Sequence, residues 1–326
     1  MQYAVSCRKI SFSEIDLLDR EFSLLPDCLA IEPDRGLAAS VARAGILHPP
    51  LLLPRGENVY SVVAGFRRVA AARETMAEGW CMLLGAKTVP EICLQLAMED
   101  IVGQRQPTLL ERAVFLDKLG RHLDSAKMTR ILASLSIPFS ERQRQEAALI
   151  LALEPPVIEA IHAGRVDDRI VPQLAAMNMR DRLSVLDIIT AFGLSVGNQR
   201  KMLAMAMDLS KRQRISVMAV LGQEGVARIL DDPKRNPPQK TARFMLWLER
   251  QCFPQLAEEL RRFRRLREEL RLPANITVDH SPFFEKDELT MTIAWPDAES
   301  LRRGWPKMAA AAFEDGGMQP PGVIRR

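Results

Sequence analysis

Aromatic residues are scarce in this 326-residue chain: Phe, Trp and Tyr make up 6%, and Tyr occurs only at positions 3 and 60. That scarcity argues against a carbohydrate binder and against a stacking platform for single-stranded nucleic acid, both of which rely on exposed rings. Cysteine is sparse too. The five thiols at 7, 28, 81, 93 and 252 lie far apart with no C-x-x-C pair and no C-x-x-H step, so reduced thiols are expected rather than disulfides or a zinc site. No apolar run approaches the roughly 18 residues of a membrane span. The start, MQYAVSCRKISFSEID, carries no signal-peptide apolar core. A cytoplasmic protein without a membrane partner is expected. Charge of one sign is also lacking. The 45 Lys and Arg stand against 41 Asp and Glu, a net of +4, which excludes a histone-like polycation. At 47% hydrophobic and 26% charged, the composition is that of a globular chain with two or three domains.

What charge there is lies unevenly. Residues 1–105 and 273–326 each carry −2, residues 106–205 carry +2, and residues 206–272 carry +6. The densest runs are SKRQR (210–214) and LRRFRRLREELR (260–271). Two readings stand: a solvated helix face whose arginines pair with Glu258, Glu259, Glu268 and Glu269 at i,i+4 spacing, or a polyanion-binding face displaying Arg261, Arg262, Arg264 and Arg265.

The order of patterns suggests an α+β chain. A helix over 37–46, apolar strands at 49–54 and 58–65, a helix from Phe66 to about Ala77, a strand at 80–86 and a helix from Pro90 make an α/β unit over residues 1–106. From Thr108 the pattern is helical, broken at Pro138, Pro155-Pro156, Gly164 and Gly193. This gives an all-helical domain (107–205), a basic helical segment (206–272), a small α/β unit (273–314) with strands at 275–280 and 289–295, and a tail (315–326).

Three clusters carry chemistry. In VVAGFRRVAAARE (62–74) a strand ends at Ala64-Gly65 and a helix opens with Phe66-Arg67-Arg68, a corner whose free N–H groups and two guanidinium groups suit a phosphate. In MEDIVGQRQPTLLERA (98–113), Glu99 and Asp100 are candidate Mg²⁺ ligands. Gln104 and Arg105 precede a helix start at Thr108, which forms a T-x-x-E capping box with Glu111. Third, SAKMTRILASL (125–135), the turn SIP (136–138) and FSERQRQEAALILAL (139–153), N-capped by Ser140, read as a helix-turn-helix. Its second helix offers Glu141, Arg142, Gln143, Arg144 and Gln145 to DNA.

In this order, from about residue 8 to about residue 180, the clusters resemble the ParB family of chromosome and plasmid partition proteins. The resemblance implies a small ParB/sulfiredoxin-like N-terminal domain binding CTP with Mg²⁺, a helix-turn-helix DNA-binding domain, and a C-terminal dimerising unit. It also implies a clamp-type homodimer on the nucleoid and a ParA-type ATPase partner. The family's phosphate motif maps to Gly65, Phe66, Arg67 and Arg68, with Gln104 and Arg105 beside it, and its metal step to Glu99 and Asp100. Ser140, Arg142, Gln143 and Arg144 fall on the DNA-reading helix.

The departures are specific. Phe66 stands where the family has Glu, which leaves at most a weak CTPase and argues against the related serine kinases; no cysteine falls here, which argues against a sulfiredoxin. Asp100 replaces Asn, Glu141 replaces Arg, and Leu149, where an Arg is usual, reads as a core residue. A transcription regulator without nucleotide switching is the alternative reading, and an NTPase or nuclease using Glu99 and Asp100 the second.

Overall fold

The computed structural model describes residues 4–33, 35–281 and 288–313, so the expected tail at 315–326 lies outside the described residues. The chain forms two compact units, Met1–Trp247 and Leu248–Arg326. The boundary falls inside one helix, α13 (Pro237–Cys252).

The first unit opens with a mixed five-stranded sheet: β1 (Val5–Ser11), β2 (Ile15–Asp16), β3 (Leu51–Gly56), β4 (Val59–Ala64) and β5 (Glu78–Leu84), in the order β1-β5-β3-β4-β2. The β1–β5 and β3–β4 pairs are antiparallel, and β3–β5 and β2–β4 are parallel. Central strands read as continuous apolar runs because both faces are covered: Leu51, Leu52 and Leu53 are all buried, as are Tyr60 to Ala64. Tyr60 and Val62 face a cluster with Phe12, Ile15, Val41, Val69 and Ala72, the last three from α1 (Arg35–Ala44) and α2 (Phe66–Arg73). α3 (Pro90–Val102) packs along β4.

The strands and helices expected between 37 and 102 are present with ends shifted by a few residues, and the sequence pattern missed β1 and β2 altogether. β1 is an edge strand whose first five residues are exposed, so it has no apolar alternation to detect; its register comes from pairing with β5, Cys7 opposite Met82 and Lys9 opposite Trp80. Arg73 ties α2 back to this region by donating to the carbonyls of Phe12, at 3.1 Å, and of Ile15.

Helices complete the unit. α4 (Leu109–Gly120), α5 (Ser125–Ser134), α6 (Glu141–Leu151) and α7 (Pro155–His162) are followed by α8 (Val171–Ala175), α9 (Met179–Phe192), α10 (Val196–Gln213), α11 (Val217–Leu221) and α12 (Glu224–Leu230). α6 packs on α4. α5 ends in a left-handed turn at Ser136 (φ 55°), with the Ile137 N–H bonded to the Leu132 carbonyl at 2.9 Å and the Ser136 N–H to Ala133 at 3.1 Å. This pair of bonds is the Schellman motif, which satisfies orphan carbonyls and usually carries glycine at the left-handed position.

In the second unit, the latter part of α13 and α14 (Pro254–Leu270) precede a hairpin of β6 (Ile276–His280) and β7 (Leu289–Ile293) and a last helix, α15 (Ala298–Phe313). Phe263 and His280 meet edge to face at 4.7 Å. Mixed α+β character, with an N-terminal sheet followed by many helices, agrees with the expected class.

Two substitutions test this packing. A Cβ at Gly79 would stand 2.6 Å from Cζ of the buried Phe12, so Gly79→Ala is expected to lower stability by about 1–3 kcal/mol through overpacking, read as a fall in Tm. Ser136→Gly is expected to raise stability by a few tenths to about 1 kcal/mol in denaturant unfolding, because it relieves a left-handed conformation.

Candidate functional site

The β4–α2 turn bends at Gly65, whose φ of 97° and ψ of 25° place it in the left-handed region at the N-cap of α2. A side chain would be strained there and also crowded, since a Cβ would lie 3.1 Å from the Arg68 guanidinium and from Pro50. Glycine therefore lets Arg68 fold back against the turn. Its Nη1 donates to the His48 carbonyl at 2.8 Å and its Nη2 to Asp100 Oδ2 at 2.9 Å. Arg67 points another way, its Nε donating to the Glu32 carbonyl at 3.3 Å. Phe66 packs against the sheet cluster and adds an apolar wall where the family motif has a carboxylate.

These groups line a cleft of about 630 Å³ with Gln104, Arg105, Thr108, Glu111 and His162, within the range of small-molecule sites. Its other wall is the loop before α1, including Phe22, Leu24 and Ile31. Two cations hold that loop by its backbone. Arg20 donates to the carbonyls of Asp27 (2.9 Å), Leu29 (2.8 Å) and Pro26 (3.3 Å), and Lys118 of α4 donates to those of Arg20 (2.5 Å) and Ser23 (2.8 Å). Burial pushes the Lys118 ammonium below the usual lysine value. The Arg20 contacts are local, whereas those of Lys118 span 98 and 95 residues of chain, so no local pattern in the sequence marks them.

Of the expected cleft residues, Gly65, Arg67, Arg68, Asp100, Gln104 and Arg105 come together. Glu99 does not. Consecutive helical residues point roughly 100° apart, so when Asp100 faces the cleft Glu99 faces solvent, accepting from Gln95 at 2.8 Å. Asp100 is itself engaged, by Arg68 and by Gln104, whose Nε2 lies 3.3 Å from its Oδ1. Among the described residues no group of three His, Cys, Asp or Glu could hold a metal ion. The side chains present thus do not fit the expected Mg²⁺ pair: one candidate ligand turns away and the other is committed to a guanidinium.

Arg105 is committed as well. It reaches Glu111 through two nitrogens, at 2.8 and 2.5 Å, while Glu111 accepts from the Thr108 N–H at 2.8 Å and Thr108 Oγ1 accepts from the Glu111 N–H at 3.2 Å. The T-x-x-E capping box is as expected. Burial alone would raise the Glu111 carboxyl. The hydrogen bonds and charge of Arg105, with those of Thr108, outweigh it and hold the carboxyl below the usual range.

The two helices expected on either side of a turn are present as α5 and α6, with the left-handed turn at Ser136 between them. Ser140 caps α6 by accepting from the Gln143 N–H at 3.3 Å. Arg142 pairs with Glu146 at 2.8 Å and Arg144 with Glu141 at 2.5 Å, so the exposed face is charged but locally neutralised. The Arg144 hydrogen bond holds the Glu141 carboxyl below the usual range. Leu149 corrects the sequence reading: it is 52% exposed. Ala147 and Ile150 take the buried positions, so Leu149 sits on the solvent side of the helical wheel. In the second unit, Arg261 pairs with Glu258 at 2.9 Å and Arg262 with Glu259 at 3.0 Å. Arg264 donates to its own helix backbone at 3.4 Å. Arg264 and Arg265 have no ion pair among the described residues and are exposed. Among the described residues, no helix is long and apolar enough to cross a membrane.

Glu111→Gln is expected to cost about 1–2 kcal/mol at pH 7. A depressed carboxyl stabilises above the ordinary carboxylate value and loses that contribution as pH falls through its folded value, so wild type and variant should converge in Tm on acidification below about pH 4. Melting curves at pH 7, 5 and 3.5 measure it.

No family model matches the chain. A curated relative, the chromosome-partitioning protein Spo0J of Thermus thermophilus, is 27% identical over 228 residues, covering 60% of this chain and 76% of that protein. Three solved structures share local likeness at low TM-score. The C-terminally truncated chromosome-partitioning protein ParB of Caulobacter crescentus appears twice. Complexed with CTP-γ-S it is 18% identical (TM-score 0.23; 57% of this chain, 99% of that one). Complexed to the centromeric parS site it is 19% identical (TM-score 0.33; 59% and 96%). A Pnob8-like ParB-N domain is 15% identical (TM-score 0.35; 74% and 99%). On the 27% identical Thermus relative, the chain is a distant homologue of ParB/Spo0J partition proteins.

Proposed function

We propose that this chain is a partition or adaptor protein that binds DNA as a clamp-type homodimer and takes the phosphates of a nucleoside triphosphate, cytidine triphosphate first among them, into the Gly65–Arg68 cleft. The single observation that carries the reading is the cleft itself. A left-handed glycine at a helix start brings a guanidinium and the first N–H groups of α2 to one wall of a space of about 630 Å³. Helix starts and guanidinium groups are how proteins meet phosphate. The Thermus relative is by name a chromosome-partitioning protein, and segregation, with a ParA-type ATPase as partner, is the cellular role this supports. Residues 1–106 would then serve the nucleotide and residues 107–205 the DNA site.

Charge divides the DNA task. On α6, Arg142 and Arg144 are offset by Glu146 and Glu141. Exposed pairs of this kind hold by less than about 1 kcal/mol, so a phosphate can replace them, yet they add little long-range attraction. Ser140 and Gln143 at the start of that helix supply neutral contacts. The net attraction belongs to α14, where Arg264 and Arg265 stand beside the paired Arg261 and Arg262.

A second reading, a DNA-binding regulator with no nucleotide switch, has one observation in its favour: Asp100 already occupies Arg68. Calorimetry with CTP and ATP separates the two. Heat with CTP that disappears in Arg68→Gln supports the switch, and no heat with any nucleotide at millimolar concentration overturns it. For DNA, the Arg264→Ala/Arg265→Ala double variant is expected to reduce the slope of log K against log salt by about 2, measured by fluorescence anisotropy on duplex DNA. An unchanged slope removes α14 from the interface.

A further inference from the structure

The guanidinium that makes the cleft attractive to phosphate is already satisfied by the protein. Arg68 Nη2 is 2.9 Å from Asp100 Oδ2, and Nη1 is 2.8 Å from the His48 carbonyl. The pair is partly withdrawn from water, with side-chain exposures of 17% for Arg68 and 35% for Asp100. Asp100 is held from behind as well, since Gln104 Nε2 lies 2.9 Å from its carbonyl and 3.3 Å from Oδ1. A carboxylate offers a guanidinium the same fork of anionic oxygens as a phosphate does. Through its Oδ2, Asp100 presents to Arg68 the kind of anionic oxygen that a phosphate also carries. A divalent cation has no comparable seat: Glu99 faces solvent, Glu111 is taken by Arg105 and Thr108, and a cation on Asp100 would sit against the Arg68 charge.

Resting on the reading of the cleft as a polyphosphate site, we propose that Asp100 is a built-in counter-anion. Phosphate enters by exchanging with the Asp100 carboxylate at Arg68, with no divalent cation in the cleft. Asp100 is thus a specificity-determining residue: weakly charged anions fail to displace it, and a polyphosphate chain, which brings several charges to one guanidinium and one helix start, succeeds.

The test is calorimetry on the full chain and on Asp100→Asn with two probes, inorganic tripolyphosphate and CTP, each in EDTA and in Mg²⁺. Asn keeps an oxygen that accepts from Arg68 and removes the charge. Wild type is expected to bind in EDTA without any requirement for Mg²⁺, and Asp100→Asn is expected to bind at least tenfold more tightly, with Arg68→Gln abolishing binding. Binding that needs Mg²⁺, or an Asp100→Asn affinity equal to or below that of wild type, overturns the counter-anion while leaving the cleft a nucleotide site. Absence of binding of either probe under both conditions, in wild type and variant, overturns the nucleotide reading and the counter-anion with it. If Asp100→Asn melts as an unfolded chain, the wild-type comparison between EDTA and Mg²⁺ decides by itself. Affinity for CTP but not tripolyphosphate assigns the gain to the nucleoside rather than to the phosphates and counts against charge exchange.

Discussion

The left-handed bend at Gly65 is the constraint on which the rest of the cleft depends. It turns the chain from the buried strand β4 into α2 without a linker. Because the residue has no Cβ, the Arg68 guanidinium lies directly against the turn. From that position it reaches the His48 carbonyl before β3 and Asp100 on α3. One backbone conformation thus aligns a helix start, a cation and two neighbouring segments on the same wall, and Val69, one residue on, anchors the helix in the core beneath.

The opposite wall is built by a different economy. A loop outside helix and strand is held because Arg20 and Lys118 donate to five of its carbonyl groups, while Phe22, Leu24 and Leu29 are buried beneath it. Lys118 comes from α4, so the loop joins the sheet layer to the first helix of the helical region. Burial of that ammonium disfavours its charged form, and the carbonyl oxygens offset the loss of water. On the central strand β3, Arg55 ties the same loop by side chains instead, reaching Ser61 Oγ at 2.7 Å and the carboxylates of Glu21 and Asp19.

Charge in this protein is largely spent internally. Arg68, Arg105, Arg142, Arg144, Arg261 and Arg262 each have a carboxylate partner. The pairs differ in consequence. Exposed i,i+3 and i,i+4 pairs on α6 and α14 are weak and exchangeable, whereas the withdrawn Arg68–Asp100 pair competes with any incoming anion. On α14, Arg261 and Arg262 form a paired, solvated face, and Arg264 and Arg265 are exposed with no ion pair among the described residues.

Local chemistry in the sequence was enough for the elements whose signals are contiguous. Gly65 before Phe66-Arg67-Arg68, the Thr108–Glu111 box, the Ser140 cap and the apolar runs of β3 and β4 act over a few residues, so their patterns are complete in the chain itself. The resemblance to partition proteins rested on the order of such pieces and agrees with the 27% identical relative. Tertiary structure decided the rest. β1 has no pattern of its own and exists because β5 supplies its hydrogen bonds. Leu149 reads as core until packing of α6 on α4 turns it outward. Glu99 and Asp100 are neighbours in sequence and face different ways on a helix, and the partner of Asp100 lies 32 residues away. A sequence shows which charges a site owns, but whether two of them cancel depends on distances of a few ångströms between segments far apart in the chain, and only folding sets those.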